Sequence, residues 1–392
     1  MPKSKAAAKK ARDVLGAAQS RAAANARAVA AWVGKSRGRK LGAAALASVL
    51  VLAVVSSVLY DYWRAAFSES VPLAEETRRA AGKKAEQLAA ALKKRLMVKG
   101  RLEGDAWTSA QILVALKEKD AGKASRAGAK SIERHFRAIA GPECACWRKQ
   151  PTGNSPSHLG VTAWTLWALA CYGIPAHRTE IEFLLSVQGA EGGWPMFAGA
   201  DAKRFASSYA TAAAILALHE QSAREKDKAR RERIAAAVSR GADWLKSHAL
   251  AGRARWADYP DSAEGRKEYL GLSGFVLFAL HRSGAPGLAA LDQEWMSELP
   301  EETPALLADD ASGSQVWVGK RSHPDDTLYR ALPWAIVATV HAYPNGSPSG
   351  KVRAARWLER ALAPGAPVYA LAGNERDAAL LAEALFALRS AT

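Results

Sequence analysis

The chain has 392 residues, about half of them apolar, so it can bury a sizeable core and is not an intrinsically disordered polypeptide. Its formal net charge of +17 is concentrated. Residues 1–40 hold eleven Lys/Arg against one acid, Asp13, which leaves +7 for the other 352 residues and excludes a uniformly basic, nucleic-acid-coating surface.

In chain order, the basic tail (1–40) comes first. A single tryptophan, Trp32, is its only platform for base stacking, so no nucleic-acid partner is expected. Next comes LGAAALASVLVLAVVSSVLY, Leu41–Tyr60, twenty residues without a charge. That length crosses a hydrocarbon core of about 30 Å as a helix. Tyr60, Tyr62 and Trp63 stand at its end like an interfacial aromatic belt. The excess of Lys/Arg before the segment predicts a single-pass membrane protein, and the Ala- and Arg-rich composition suits a GC-rich bacterium, hence its inner membrane. Its tail would be cytoplasmic, its C-terminal domain periplasmic, and membrane lipid a partner. A buried alanine-rich core helix is the alternative reading of the same residues. A linker (61–74) leads to the remainder, 75–392.

That remainder repeats. TSAQILVAL, TAWTLWAL, TAAAILAL, SGFVLFAL, PWAIVATV and LAEALFAL are apolar nearly all round. Aligned on Ser109, Thr162, Thr211, Ser273, Pro333 and Leu381, they recur every 48 to 62 residues. A helix apolar on every side is buried on every side. Amphipathic segments alternate with them: Glu75–Leu96, Gly122–Ile139, Arg178–Gln188, Arg231–His248, Leu288–Leu299 and Lys351–Leu362. The charged run Ser222–Ala237 reads as a solvated extension of one outer helix. Trp147, Trp194, Trp256 and Trp317 lie in Gly/Pro/polar loops, 15, 17, 17 and 16 residues before the next aligned position. Hairpins of buried inner and half-exposed outer helix cannot bury their own faces, so they stack on one another. Six of them predict an all-α (α/α)6 toroid, with the inner helices around a central cavity. Gln188 would satisfy orphan groups at a helix end, Gly192 would permit the turn, and Trp194 would staple one hairpin to the next. Trp147, Trp256 and Trp317 would act likewise.

The spacing Phe183-Leu184, Gln188, Gly192-Gly193-Trp194 resembles the QW motif of squalene and oxidosqualene cyclases. The repeat order resembles the prenyltransferase β-subunit toroid. The resemblance covers residues 75–390. In class II terpene cyclases an aspartic acid of a DxDD-T motif protonates an alkene. The letters here are His323, Pro324, Asp325, Asp326 and Thr327, with His323 where the family has its first aspartate. The resemblance therefore implies Asp325 as proton donor and Asp326 as its neighbour. Adjacent carboxylates raise one another's pKa, which suits an acid. The same Pro-Asp-Asp also suits the cap of the fifth inner helix.

Other candidates follow from placement. His158, Tyr209, Tyr269, Tyr329 and Arg330 stand near inner-helix starts, where a ligand in the ring's mouth would lie. Asp258, Asp261, Glu264 and Glu268 could supply an acid pair. Cys144, Cys146, His158 and Asp105 do not make a metal set at ligand spacing, and Cys171 lies 13 residues beyond His158, too far along one helix. No metal and no cofactor is expected. The reading is a membrane-anchored toroid that binds a hydrophobic, isoprenoid-like or glycan ligand, or a protein partner, without catalysis. The alternative is a terpene-cyclase or prenyltransferase-like enzyme with Asp325 as general acid.

Overall fold

A computed structural model describes residues 75–98, 101–102, 106–120, 159–197, 205–250, 252–262, 268–299, 315–318, 321–324, 331–363, 366 and 375–390. All of these belong to one compact unit, Pro72–Thr392. The segment 41–60 lies outside them; among the described residues no helix is long and apolar enough to cross a membrane.

The apolar segments form six inner helices: α2 (Ala106–Asp120), α3 (Leu159–Cys171), α5 (Ser208–Ser222), α7 (Leu270–Arg282), α9 (Ala331–Ala342) and α11 (Glu375–Ser390). In α3 the twelve residues Leu159–Ala170 are all buried, as its lack of charge requires. The amphipathic segments form outer helices α1 (Glu75–Leu96), α4 (Arg178–Val187), α6 (Lys228–Ser247), α8 (Ala289–Ser297) and α10 (Pro348–Ala361). The expected outer segment 122–139 lies outside the described residues.

The inner helices pack in a closed cycle: α2 on α3, α3 on α5, α5 on α7, α7 on α9, α9 on α11, and α11 back on α2. The ring is a helical toroid, as the repeat predicts. The junction between α11 and α2 is covered by α1, which packs on both.

Local chemistry sets the helix boundaries. Ser207 caps α5 by accepting the Ala210 N–H, Asp227 caps α6 by accepting from Arg230, and Ser347 caps α10 with Pro348 in the first turn. The cap at Asp227 corrects one expectation. The charged run Ser222–Ala237 is not one extension, because α5 ends at Ser222 and a turn separates it from α6. Asp227 and Glu225 both use their carboxylates on backbone or arginine groups there. Two short antiparallel hairpins interrupt the helices. Met97–Val98 (β1) pairs with Arg101–Leu102 (β2), and Gln315–Val318 (β3) pairs with Arg321–Pro324 (β4) in the register Val316 to His323 and Val318 to Arg321.

Two corners of the ring are built alike. In the first, Gln188 is the C-cap of α4, and its amide N–H donates to the carbonyls of Gly192 (2.8 Å) and Ala237 (2.9 Å). Gly192 has φ +107°, and a Cβ there would collide with the Arg240 carbonyl. The Trp194 indole N–H donates to the Leu184 carbonyl at 2.8 Å. Its ring lies against Gly241 of α6, where a Cβ would sit 2.5 Å from it. Its backbone N–H donates to Thr211 Oγ1 at 2.9 Å. In the second corner, the Trp256 indole donates to the Leu245 carbonyl (2.7 Å) and its backbone N–H to Ser273 Oγ (3.0 Å). The constant offset of 17 residues is therefore a hydrogen bond, repeated. Where the first corner has Gln188 as C-cap, the second has His248, stacked on Trp244. Trp317 stands in β3, and Trp147 lies outside the described residues.

Candidate functional site

The inner helices run parallel, so their starts share one end of the ring. The Leu159 N–H at the start of α3 donates to the Met196 carbonyl in the loop before α5. The Ser208 N–H at the start of α5 donates to the Asp258 carbonyl in the loop before α7. At the opposite end, Arg282 of α7 pairs with Glu220 of α5, and His281 of α7 stacks near His341 of α9.

The floor of the mouth is aromatic. Trp107, Trp164, Tyr209, Phe275 and Trp334 project from the first two turns of five inner helices and are all buried. Trp164 stacks on Phe275 with centroids 5.8 Å apart and meets Trp334 at 6.2 Å. α3 and α9 stand opposite each other in the cycle, so this second contact spans the ring. Tyr209 packs between Trp107 (6.0 Å) and Phe275 (5.0 Å), and its hydroxyl accepts the Trp164 indole N–H at 2.6 Å. One turn deeper, Trp167 meets Phe278. At this depth the axis holds interlocked rings where a hollow is expected from the sequence. The physical reason is size: inner helices rich in alanine approach closely, and five large side chains then fill the remaining space.

Above the floor the described polar groups are engaged in the fold. Asp258 is 2% exposed. Its Oδ1 accepts from Ser207 Oγ (2.6 Å) and from the Tyr209 N–H (3.1 Å), so it holds the start of α5. Ser208 Oγ donates to the Ala257 carbonyl. Burial, with a contribution from the Asp258 charge, holds the Tyr259 phenol well above its ordinary pKa, so it stays protonated. Glu268 accepts from Arg253, which also bonds Glu298, and Asp261 faces His248 at 3.3 Å. Each of these carboxylates is thus paired with a basic side chain and not with a second carboxylate. Tyr269 is half-buried at the N-cap of α7 and gives its carbonyl to Ser273 Oγ.

The remaining expected site residues divide by position. His323 lies in β4, opposite Val316. His158, Asp325, Asp326, Tyr329 and Arg330 lie outside the described residues, as do Asp105, Cys144, Cys146 and Glu264. The chain places His158 directly before α3 and Arg330 directly before α9. Cys171 stands at the end of α3, away from the mouth. Among the described residues no group of three His, Cys, Asp or Glu is arranged to hold a metal ion. The residues that sequence reasoning missed are the floor aromatics Trp107, Trp164, Phe275 and Trp334. Their signal was present, since each is a large ring inside an otherwise Ala/Leu helix.

No family model matches the chain, and no curated protein sequence matches it. Solved structures do. An inactive variant of the α-1,6-mannanase GH76A of Salegentibacter sp. HEL1_6, in complex with α-1,6-mannotriose, is 12% identical over 79% of this chain and 99% of that one, with a TM-score of 0.52. The ent-copalyl diphosphate synthase from Streptomyces platensis is 20% identical over 73% of this chain, with a TM-score of 0.46; this chain spans 50% of its length. A protein from Actinoplanes is 15% identical over 79% of this chain and 99% of that one, with a TM-score of 0.48. The mannanase likeness shows the fold, an α/α toroid.

Proposed function

We propose that the chain is a membrane-anchored toroid that binds its ligand in a shallow mouth and acts by binding, not by catalysis. Residues 41–60 are the anchor in this reading. The observation that carries it is the closed aromatic floor, with Trp164 meeting Trp334 across the ring. A cyclase of polyprenyl chains needs a deep apolar chamber that encloses its substrate. Rings packed near the helix starts leave at most a shallow mouth above them, which suits a small ligand such as a sugar ring or a short isoprenoid segment. Asp258, which reaches the floor residue Tyr209 through its backbone N–H, already accepts two hydrogen bonds within the fold.

The second reading keeps Asp325 as a general acid. It is favoured by the β3–β4 hairpin, which ends at Pro324, one residue before Asp325 and seven before the start of α9 on the mouth side. One experiment separates the two. The full chain in detergent micelles is titrated with α-1,6-mannotriose and with geranylgeranyl diphosphate by calorimetry, and the diphosphate is assayed for cyclised product. Binding without product, unchanged in Asp325→Asn, is expected. Product that disappears in Asp325→Asn overturns the binding reading.

A further inference from the structure

The aromatic floor is incomplete at one inner helix. Five of the six send a ring into it, whereas Glu375–Glu383 of α11 include no aromatic side chain. Gln111, Trp164, Phe275 and Glu383 each stand two residues after the aligned position of their helix, so they share one level of the ring. Trp164 of α3 and Phe275 of α7 meet at that level, although α5 stands between their helices. The neighbouring helices α2 and α11 fill the same level with an amide and a carboxylate. We infer that Gln111 and Glu383 are the polar anchor of the mouth and select a hydroxylated ligand, a sugar ring, against an isoprenoid. The inference rests on the reading that the ligand lies in the mouth.

Two further observations place the pair on the axial side of the ring. Trp107 lies one turn before Gln111 on the same face of α2, and its ring reaches Tyr209 of α5 past the intervening α3. Glu383 acts on Arg282 of α7 past the intervening α9. Burial pulls that guanidinium down, and Glu220, with smaller contributions from Cys171 and Glu383, holds it above its ordinary value. Both side chains of the pair are nearly enclosed, Gln111 at 4% exposure and Glu383 at 7%. Gln111 Oε1 has no hydrogen-bond donor among the described residues. A buried acceptor left without a donor costs about 1–3 kcal/mol. Packing does not demand that cost, since α5 fills the same level with Ala213, which is apolar and buried. A sugar hydroxyl supplies the missing donor. The Glu383 carboxylate has about four acceptor positions, so it takes a second hydroxyl beside the contacts it already makes. An isoprenoid segment has no donor to offer. It would leave Gln111 Oε1 unsatisfied and lay hydrocarbon against a carboxylate, which is costlier still. A site built to bond hydroxyl groups discriminates strongly against an analogue that lacks them.

Calorimetry on the full chain in detergent micelles tests the inference, with maltotriose, cellotriose, chitotriose and geranylgeranyl diphosphate as probes. Wild type is compared with Gln111→Leu and Glu383→Gln. At least one trisaccharide is expected to bind, and its affinity to fall about ten-fold or more in each variant. Without ligand, Gln111→Leu removes a buried unpaired acceptor, so its urea midpoint is expected to equal or exceed that of wild type. Should Gln111→Leu not fold, Gln111→Met serves for both readings. Trisaccharide binding unchanged in either variant overturns the inference, and so does a lower urea midpoint at position 111, which marks a structural role. Binding of the diphosphate with no trisaccharide bound overturns it while leaving a ligand in the mouth. Binding of neither removes the mouth reading itself, and the inference with it.

Discussion

The corner between α4 and α6 and the seam between α11 and α2 solve one problem with different materials. Each must hold an outer helix against the inner ring. At the corner, Trp194 fills the space beside Gly241, bonds the Leu184 carbonyl through its indole and the Thr211 hydroxyl through its backbone. At the seam, α1 offers a narrow stripe of alanines and two leucines. The corner gains from one large, directional anchor, and the buried face of α1 from the close approach of small side chains. A directional anchor fixes register as well as distance, whereas an alanine stripe fixes mainly distance. That contrast separates a contact fixed in register from one fixed in distance.

The largest expected effect comes from removing the anchor. Trp194→Ala deletes a fully buried ring and leaves the Leu184 carbonyl without its donor. It should cost about 3–5 kcal/mol, seen as a lower midpoint in thermal or urea unfolding. Leu88→Ala at the seam should cost less in the same measurement. Equal losses would erase the distinction between the two regions.

Part of this distinction is legible in the sequence and part is not. The 17-residue offset from Trp194 to Thr211 and from Trp256 to Ser273 is visible in the residue order, and it proves to be a donor–acceptor distance. The inner helices are legible because uncharged segments such as Leu159–Ala170 leave no face for water. The aromatic floor is not, because Trp164 and Trp334 sit 170 residues apart and at different depths in their helices. Only the packed ring brings them together. The pairing of α1 with α11 is hidden for a similar reason, since reading in order joins each outer helix to the inner one that follows. The polar site residues are the least legible. Asp258 reads as a free acid in a loop, and only the fold reveals Ser207 and Tyr209 as its partners.

A smaller effect tests whether the two tryptophan corners are equivalent. Thr211→Val and Ser273→Ala each leave a buried tryptophan N–H without its acceptor. Each should cost about 1–3 kcal/mol, and the two costs should agree within about 1 kcal/mol in chemical denaturation. A near-neutral Ser273→Ala would show that the second corner, where His248 replaces Gln188 as C-cap, carries its load elsewhere.

The smallest effect is electrostatic. Glu182 of α4 accepts from Arg233 of α6, and that hydrogen bond, opposed by partial burial, holds its carboxyl below the ordinary value of 4.5. A carboxylate with a depressed folded pKa stabilises the fold above its unfolded value and loses that contribution as pH falls through the folded one. The tie between α4 and α6 should therefore persist at neutral pH and fade below about pH 4.5, and salt should weaken it. The reading is the pH dependence of the melting midpoint, wild type against Glu182→Gln. Identical slopes would remove Glu182 from the account of the corner.

The seam also has a consequence for biogenesis. α1 leaves the ribosome before every other helix of the toroid, yet the surface it rests on, α11, is the last to be made. Nearly the whole domain must be synthesised before that contact can form, a separation of the kind that slows folding. Until then α1 has only α2 to rest on, and the toroid is completed only once α11 has emerged.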